Sequence, residues 1–247
     1  MLDAIRTWST AIPGHHADQI EAYLAFPEGD GPYAGVVVIH HMPGYDAGTK
    51  EIARRFATMG YSAIVPNLHY RDAPGAEPDD AAATNRANGG VPDEQLVGDI
   101  TAAAEHLRSL HTANGKVGVI GYCSGGRQAF LAGLDAPVDA VVDCYGAFVT
   151  GTVPAEFPIP IAPLTNRVAE LPVPLLGLFG AEDKHPSPAD VAELEKLLTE
   201  HGKDFDLHSY DGAGHAFFST DRVSYRAEAA VDGWARISAF FGKHLSA

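Results

Sequence analysis

The stretch KVGVIGYCSGGRQAFLAG, Lys116 to Gly133, passes from a β-rich run directly into a helical pattern through Gly121-Tyr122-Cys123-Ser124-Gly125. A strand that turns this sharply into a helix holds its central residue in a strained conformation. Glycines two before and two after that residue remove the Cβ atoms that would collide there. This spacing is that of a nucleophile elbow, with Cys123 at the tip where serine is commoner. A helix N-terminus favours a thiolate and turns free N–H groups toward an oxyanion, so the Ser124 N–H is the first expected oxyanion donor. The Ser124 hydroxyl sits off the centre of the elbow and is expected to point elsewhere. The plain alternative is a buried structural cysteine in a tight turn.

Working outward, short β-rich runs alternate with helical patterns, which is the signature of a mainly parallel sheet covered by helices. Strands are predicted at Ala34–His40, Tyr61–Pro66, Lys116–Gly121, Val138–Tyr145, Val173–Phe179 and Phe205–Tyr210. Runs such as GVVVI and VPLLGLF are continuously apolar, as strands buried on both faces require. Leu96, Ile100, Ala103, Leu107 and Leu110 recur at helical spacing behind Asp93. A second helix is predicted after Pro188, and a last one carries Trp234, Ile237 and Phe241. Residues 71–92, rich in Gly, Pro, Asn and Asp, read as a long loop, the usual setting of a lid or binding segment. No repeat, low-complexity tract or linker divides the chain, so residues 1–247 are read as one domain.

The formal charge of −15 argues against a grip on nucleic-acid phosphates, and the 46% hydrophobic content is well short of membrane spans. The opening MLDAIRTWSTAIPGHH lacks a basic segment leading into an apolar run, so a cytoplasmic location is expected. Two cysteines make a poor disulfide framework for this length, and reduced thiols are expected. Cys144, without elbow glycines, reads as a small core residue.

A thiol nucleophile needs a base within hydrogen-bond reach and a third group to orient that base. Behind an elbow of this kind the acid and then the histidine follow on loops after later strands. Among twelve histidines, His215 in DGAGHAF stands after the strand ending at Tyr210 and before the last helix. His111, His185, His201, His208 and His244 read as solvent-facing. The run LLGLFGAEDKHP places Glu182 and Asp183 just past a buried strand; Asp183 is the expected acid and Glu182 its alternative, while Asp143 lies inside a strand pattern. The loop His40-His41-Met42-Pro43-Gly44 follows the first strong strand, where the second oxyanion donor belongs, and the Met42 N–H is the expected one. Adjacent histidines suggest metal, but no third ligand pattern accompanies them, so neither metal nor cofactor is expected. His15 and His16 receive no role. Tyr122, Tyr145 and Phe217 are candidate pocket walls, with ordinary packing the competing explanation.

Together GKVGVIGYCSGG, GVVVIHHMPGYD, GYSAIVPNLHYR, the GAED turn and YDGAGHAFF resemble the dienelactone hydrolase family over nearly the whole chain, in family order. The resemblance implies an α/β-hydrolase fold: a mainly parallel twisted sheet with helices on both faces. It further implies a Cys123-His215-Asp183 triad, no cofactor, and hydrolysis of a small ester or lactone through an acyl-thioester. Members of the family hold the resting thiol with a glutamate where this chain has His41. They bind a substrate carboxylate with arginines, one of them four positions past the catalytic histidine, where this chain has Ser219. Arg71 and Arg86 in the long loop are the remaining candidates for an anion. The expected partner is a small-molecule substrate, for a monomer or homodimer without nucleic acid or membrane. Acyl transfer by the same thioester, or a non-catalytic binder on the same scaffold, are the rival readings.

Overall fold

The computed structural model of the chain describes residues 4–246. Its strands are β1 (Ile5–Pro13), β2 (Gln19–Pro27), β3 (Tyr33–Ile39), β4 (Ser62–Pro66), β5 (Ala113–Tyr122), β6 (Ala140–Cys144), β7 (Leu175–Gly180) and β8 (Phe205–Tyr210). They form one eight-stranded sheet in the order β1-β2-β4-β3-β5-β6-β7-β8. From β4 to β8 every pairing is parallel, while β1 and β2 add antiparallel at the β4 edge.

Period-two alternation divides each central strand between two cores. In β3, Val37 and Ile39 join Leu96 and Ile100 of α3 (Asp93–Arg108), Phe130 of α4 (Ser124–Asp135), and Leu194 and Leu198 of α5 (Pro188–Glu200) on one face. Val36 and Val38 face the other side, covered by Phe56 of α1 (Ala47–Thr58) and by Trp234, Ile237 and Phe241 of α6 (Ala227–His244). Helices therefore cover both faces. This is the expected reason that the parallel strands read as unbroken apolar runs.

The structure differs from the sequence reading in three elements. The β1–β2 hairpin is absent from the predicted strands. Most of β1 is solvent-exposed, so IRTWSTAIP shows neither a buried run nor clean alternation. The 71–92 segment is not one loop: it contains α2 (Pro78–Ala87), with Pro78 in the first turn, Asp79 and Asp80 at the positive end, and Ala81, Ala82 and Asn85 buried. Asn85 and Asn88 donate to Asp72 at 2.6 and 2.8 Å, fixing the helix onto the turn before it. Helix α1, capped by Asp46 accepting from the Thr49 N–H, also lies outside the predicted elements.

Candidate active site

The carboxyl ends of β5, β7 and β8 meet at one point. At the end of β5, Cys123 takes φ 58° and ψ −121° as the cap of α4. A Cβ at Gly121 would overlap the Gly125 carbonyl, and one at Gly125 would lie 2.7 Å from the Ile39 carbonyl oxygen. The turn closes only because both positions are glycine. The Cys123 N–H donates to the Cys144 carbonyl at 3.0 Å, tying the elbow to the end of β6. Tyr145, Phe148 and Ala216 also adopt positive φ (44°, 66° and 62°), so non-glycine strain gathers around this point, as it does at functional sites.

His215 Nε2 lies 3.0 Å from Cys123 Sγ, and its Nδ1 lies 2.7 Å from Asp183 Oδ2. Asp183 is buried, and its other oxygen accepts the His185 N–H at 2.9 Å, which leaves the carboxylate a single orientation. The two loops carrying this pair are stitched together: the Glu182 N–H donates to the Ala213 carbonyl at 2.9 Å. Burial opposes charge on the His215 ring, but the hydrogen bonds to Asp183 and Cys123 outweigh it and raise its pKa to about 10. Glu182 is exposed and makes no contact with the ring's hydrogen bonds.

Ser124, as the first residue of α4, has no helical carbonyl four residues back to accept its N–H. Met42 lies on the turn after β3, and both residues line a small cavity of about 40 Å³. The turn is braced by His40, which donates to the His41 carbonyl at 3.1 Å and accepts the Leu68 N–H at 3.2 Å.

A larger cavity of about 520 Å³ opens on Cys123 and His215. Its walls come mainly from Phe148, Pro154, Phe157, Ile159 and Ile161, on a segment without a sequence signal of its own. The expected lid at 71–92 contributes nothing to this cavity. The other pocket candidates divide. Tyr122, Tyr145 and His41 line a second cavity of about 180 Å³, where His41 Nε2 pairs with Asp46 Oδ2 at 2.7 Å. Tyr145 also meets the His215 ring edge-on at 5.1 Å. Phe217 is fully buried against Tyr145 and Tyr210 and lines neither cavity.

The arginine expectations are corrected. Arg71 is fastened to buried Asp99 at 2.8 and 2.9 Å and to Asp18 at 3.1 Å. Arg86 lies exposed on α2 and is absent from both cavity linings. The guanidinium that does reach the site is Arg127, four residues past Cys123 on α4, where it reads in sequence as an ordinary helix residue. Among the described residues, the one group of three side chains close enough to share a cation is His15, His16 and Glu94, and none of them lines the Cys123 cavity.

A cysteine at the tip of a strand-to-helix turn, with a carboxylate and a histidine on later strand ends of a mainly parallel sheet, defines an α/β-hydrolase fold. Comparison with known proteins narrows this class. The sequence model of the Dienelactone hydrolase family matches residues 20–245. The chain is 31% identical over 246 residues to a "Putative carboxymethylenebutenolidase" of Synechocystis sp., covering 98% of each. It is 32% identical over 252 residues to an Escherichia coli protein of the same name, covering 98% of this chain and 89% of the other. The crystal structure of a "Putative Dienelactone Hydrolase" from Klebsiella pneumoniae superposes with a TM-score of 0.85 at 29% identity, covering 97% of this chain and 99% of that one. The chain belongs to the dienelactone hydrolase family.

Proposed function

We propose that this protein is a single-domain hydrolase that opens a small ester or lactone with Cys123 as nucleophile, His215 as acid and base, and Asp183 as the group that orients the ring. The observation carrying this reading is the chain of contacts from sulfur to imidazole to buried carboxylate, 3.0 and 2.7 Å long. The matched relatives, by name, act on carboxymethylenebutenolide, which supports the opening of a lactone ring; that molecule also bears a carboxylate, which this reading does not extend to the present chain.

With its pKa near 10, the His215 ring carries the proton at neutral pH, next to the sulfur. The thiolate attacks the carbonyl carbon, and the carbonyl electrons move onto oxygen. The Ser124 and Met42 N–H groups hold that oxyanion, each donor contributing about 3 kcal/mol to the barrier reduction. Collapse breaks the carbon–oxygen bond while His215 Nε2 gives its proton to the departing alkoxide, leaving an acyl-thioester on Cys123. Water then adds to the thioester as His215 takes a proton from it. A second collapse releases the acid and returns the thiolate and the imidazolium. For a lactone, leaving group and acyl group are one molecule, and the product is a hydroxy acid.

The test is Cys123→Ala assayed with p-nitrophenyl acetate, with circular dichroism confirming the fold. Turnover is expected to vanish; undiminished turnover would refute the assignment.

A further inference from the structure

We infer that the acyl group this site accepts is uncharged and apolar, either aromatic or branched, and that a substrate bearing its own carboxylate is disfavoured. The inference rests on the catalytic reading above and names the substrate class of that same site.

Phe157, Ile159 and Ile161 are only half-buried, yet they face a concave space beside the sulfur. Apolar surface of this kind gains by being covered, and a seated acyl group would cover it. The wall is preformed. The 149–164 segment closes on itself through the Leu164 N–H donating to the Val149 carbonyl at 2.9 Å. Thr150 pins it by donating to the Asp190 carbonyl at 2.7 Å, and Arg127 by donating to the Ala162 carbonyl at 2.8 Å. Phe148 is held in a left-handed conformation that sets its ring against Phe157 at 5.0 Å.

The arginines that could receive a carboxylate are already paired. Arg127 is 4% exposed and forms a two-pronged pair with Asp93, both contacts at 3.0 Å. Its Nε has no partner but also no exposed surface. Arg71 is consumed by Asp99 and Asp18. Among the described residues, Lys184 is the lining cation without an ion pair, and it lies exposed beside Glu182. A carboxylate seated on the apolar wall would be desolvated with the exposed Lys184 as the one unpaired lining cation to meet it, which is costly. A neutral phenyl or branched alkyl group would lose nothing.

The experiment compares p-nitrophenyl acetate, butyrate and phenylacetate with mono-p-nitrophenyl glutarate, a carboxylated ester of similar reach. We expect kcat/KM to rise about tenfold from acetate to phenylacetate, and to lie at least about tenfold lower for the glutarate than for the butyrate. In Phe157→Ala and Ile159→Ala the phenylacetate-to-acetate ratio should fall about tenfold. The wild-type series needs no variant to fold. A glutarate ester turned over as well as the butyrate, with that turnover selectively lost in Lys184→Ala, would overturn the inference in favour of an anion site. So would a phenylacetate-to-acetate ratio unmoved by either substitution. Cys123→Ala separates the two readings. If acetate turnover depends on Cys123 while the acyl preferences fail, only the substrate class is wrong; if turnover survives in Cys123→Ala, the catalytic reading itself falls.

Discussion

His40 and His215 occupy the same edge of the sheet, one after β3 and the other after β8, and their rings are driven in opposite directions. His40 is buried with backbone partners alone. Burial and the neighbouring His69 push its pKa down to about 3, against the weaker pull of the His41 carbonyl. His215 also meets an unfavourable burial effect, but Asp183 and Cys123 reverse it and lift the ring to about 10. Depth does not decide the charge of a histidine here; the charge of its hydrogen-bond partner does. One ring is thereby a neutral brace for the turn after β3, and the other, in the mechanism proposed above, a proton carrier beside Cys123.

The sharpest way to break this contrast is Asp183→Asn. An amide cannot stabilise the imidazolium and can hold the ring in the wrong tautomer, so kcat on p-nitrophenyl acetate should drop on the order of 10³-fold or more. The His215 ring should then titrate well below about 10, as read by NMR of the imidazole protons; an unmoved pKa would mean that Asp183 does not carry the effect.

A smaller effect is expected from His40→Leu. The variant leaves the Leu68 N–H buried without an acceptor, at a cost of about 1–3 kcal/mol of unfolding free energy near neutral pH. The pH dependence distinguishes this from simple packing loss. Because the folded pKa of His40 lies below its unfolded value of 6.5, the unfolded chain binds more protons between those limits. Wild-type stability therefore declines as pH falls from about 6.5 toward about 3. His69, lowered to about 4 chiefly by burial, adds in the same direction. The gap between wild type and His40→Leu in urea unfolding should narrow as the pH is lowered, and a constant gap would contradict the assignment.

Asp143 extends the comparison to carboxylates. Asp183 has an imidazole partner, whereas Asp143 is buried under the elbow with one oxygen on the Gly146 N–H and the other without a partner. Burial raises its pKa to about 7, opposed by that N–H. A carboxyl raised above its unfolded value contributes stability that is lost as pH rises toward and through the folded pKa. Asp143→Asn should flatten the loss of thermal stability between about pH 6 and about pH 8.5, an effect on the order of 1 kcal/mol. An unchanged slope would show that another group titrates there.

Legibility from sequence followed the range of the interactions involved. Strands β3 to β7 were readable because burial on both faces leaves an apolar run in the residues themselves, β8 because its apolar residues alternate with polar ones, and the elbow because its glycines are dictated by local collisions. Strand β1 was not, since an exposed edge strand carries no such run; β2 is buried and was missed although it carries the apolar run AYLAF. Helix α2 was hidden in the 71–92 segment by its short, alanine-based buried face. Phe148, Phe157, Ile159 and Ile161 look like scattered apolar residues in a proline-rich connection. They become a wall only when residues 149–164 fold back over α4.

By itself, the order of residues determined which strands would be parallel and buried, that Cys123 would stand at a strained turn, and that a carboxylate and a histidine would follow on later strand ends. Those features depend on neighbours in the chain. Only the tertiary structure decided that Asp183 rather than Glu182 would meet the ring, that Arg71 and Arg127 would be consumed by Asp99 and Asp93, and that an apolar wall would stand beside the sulfur. Each of these pairs groups dozens of residues apart, and an electrostatic or packing partner at that separation is set by how the loops close in space.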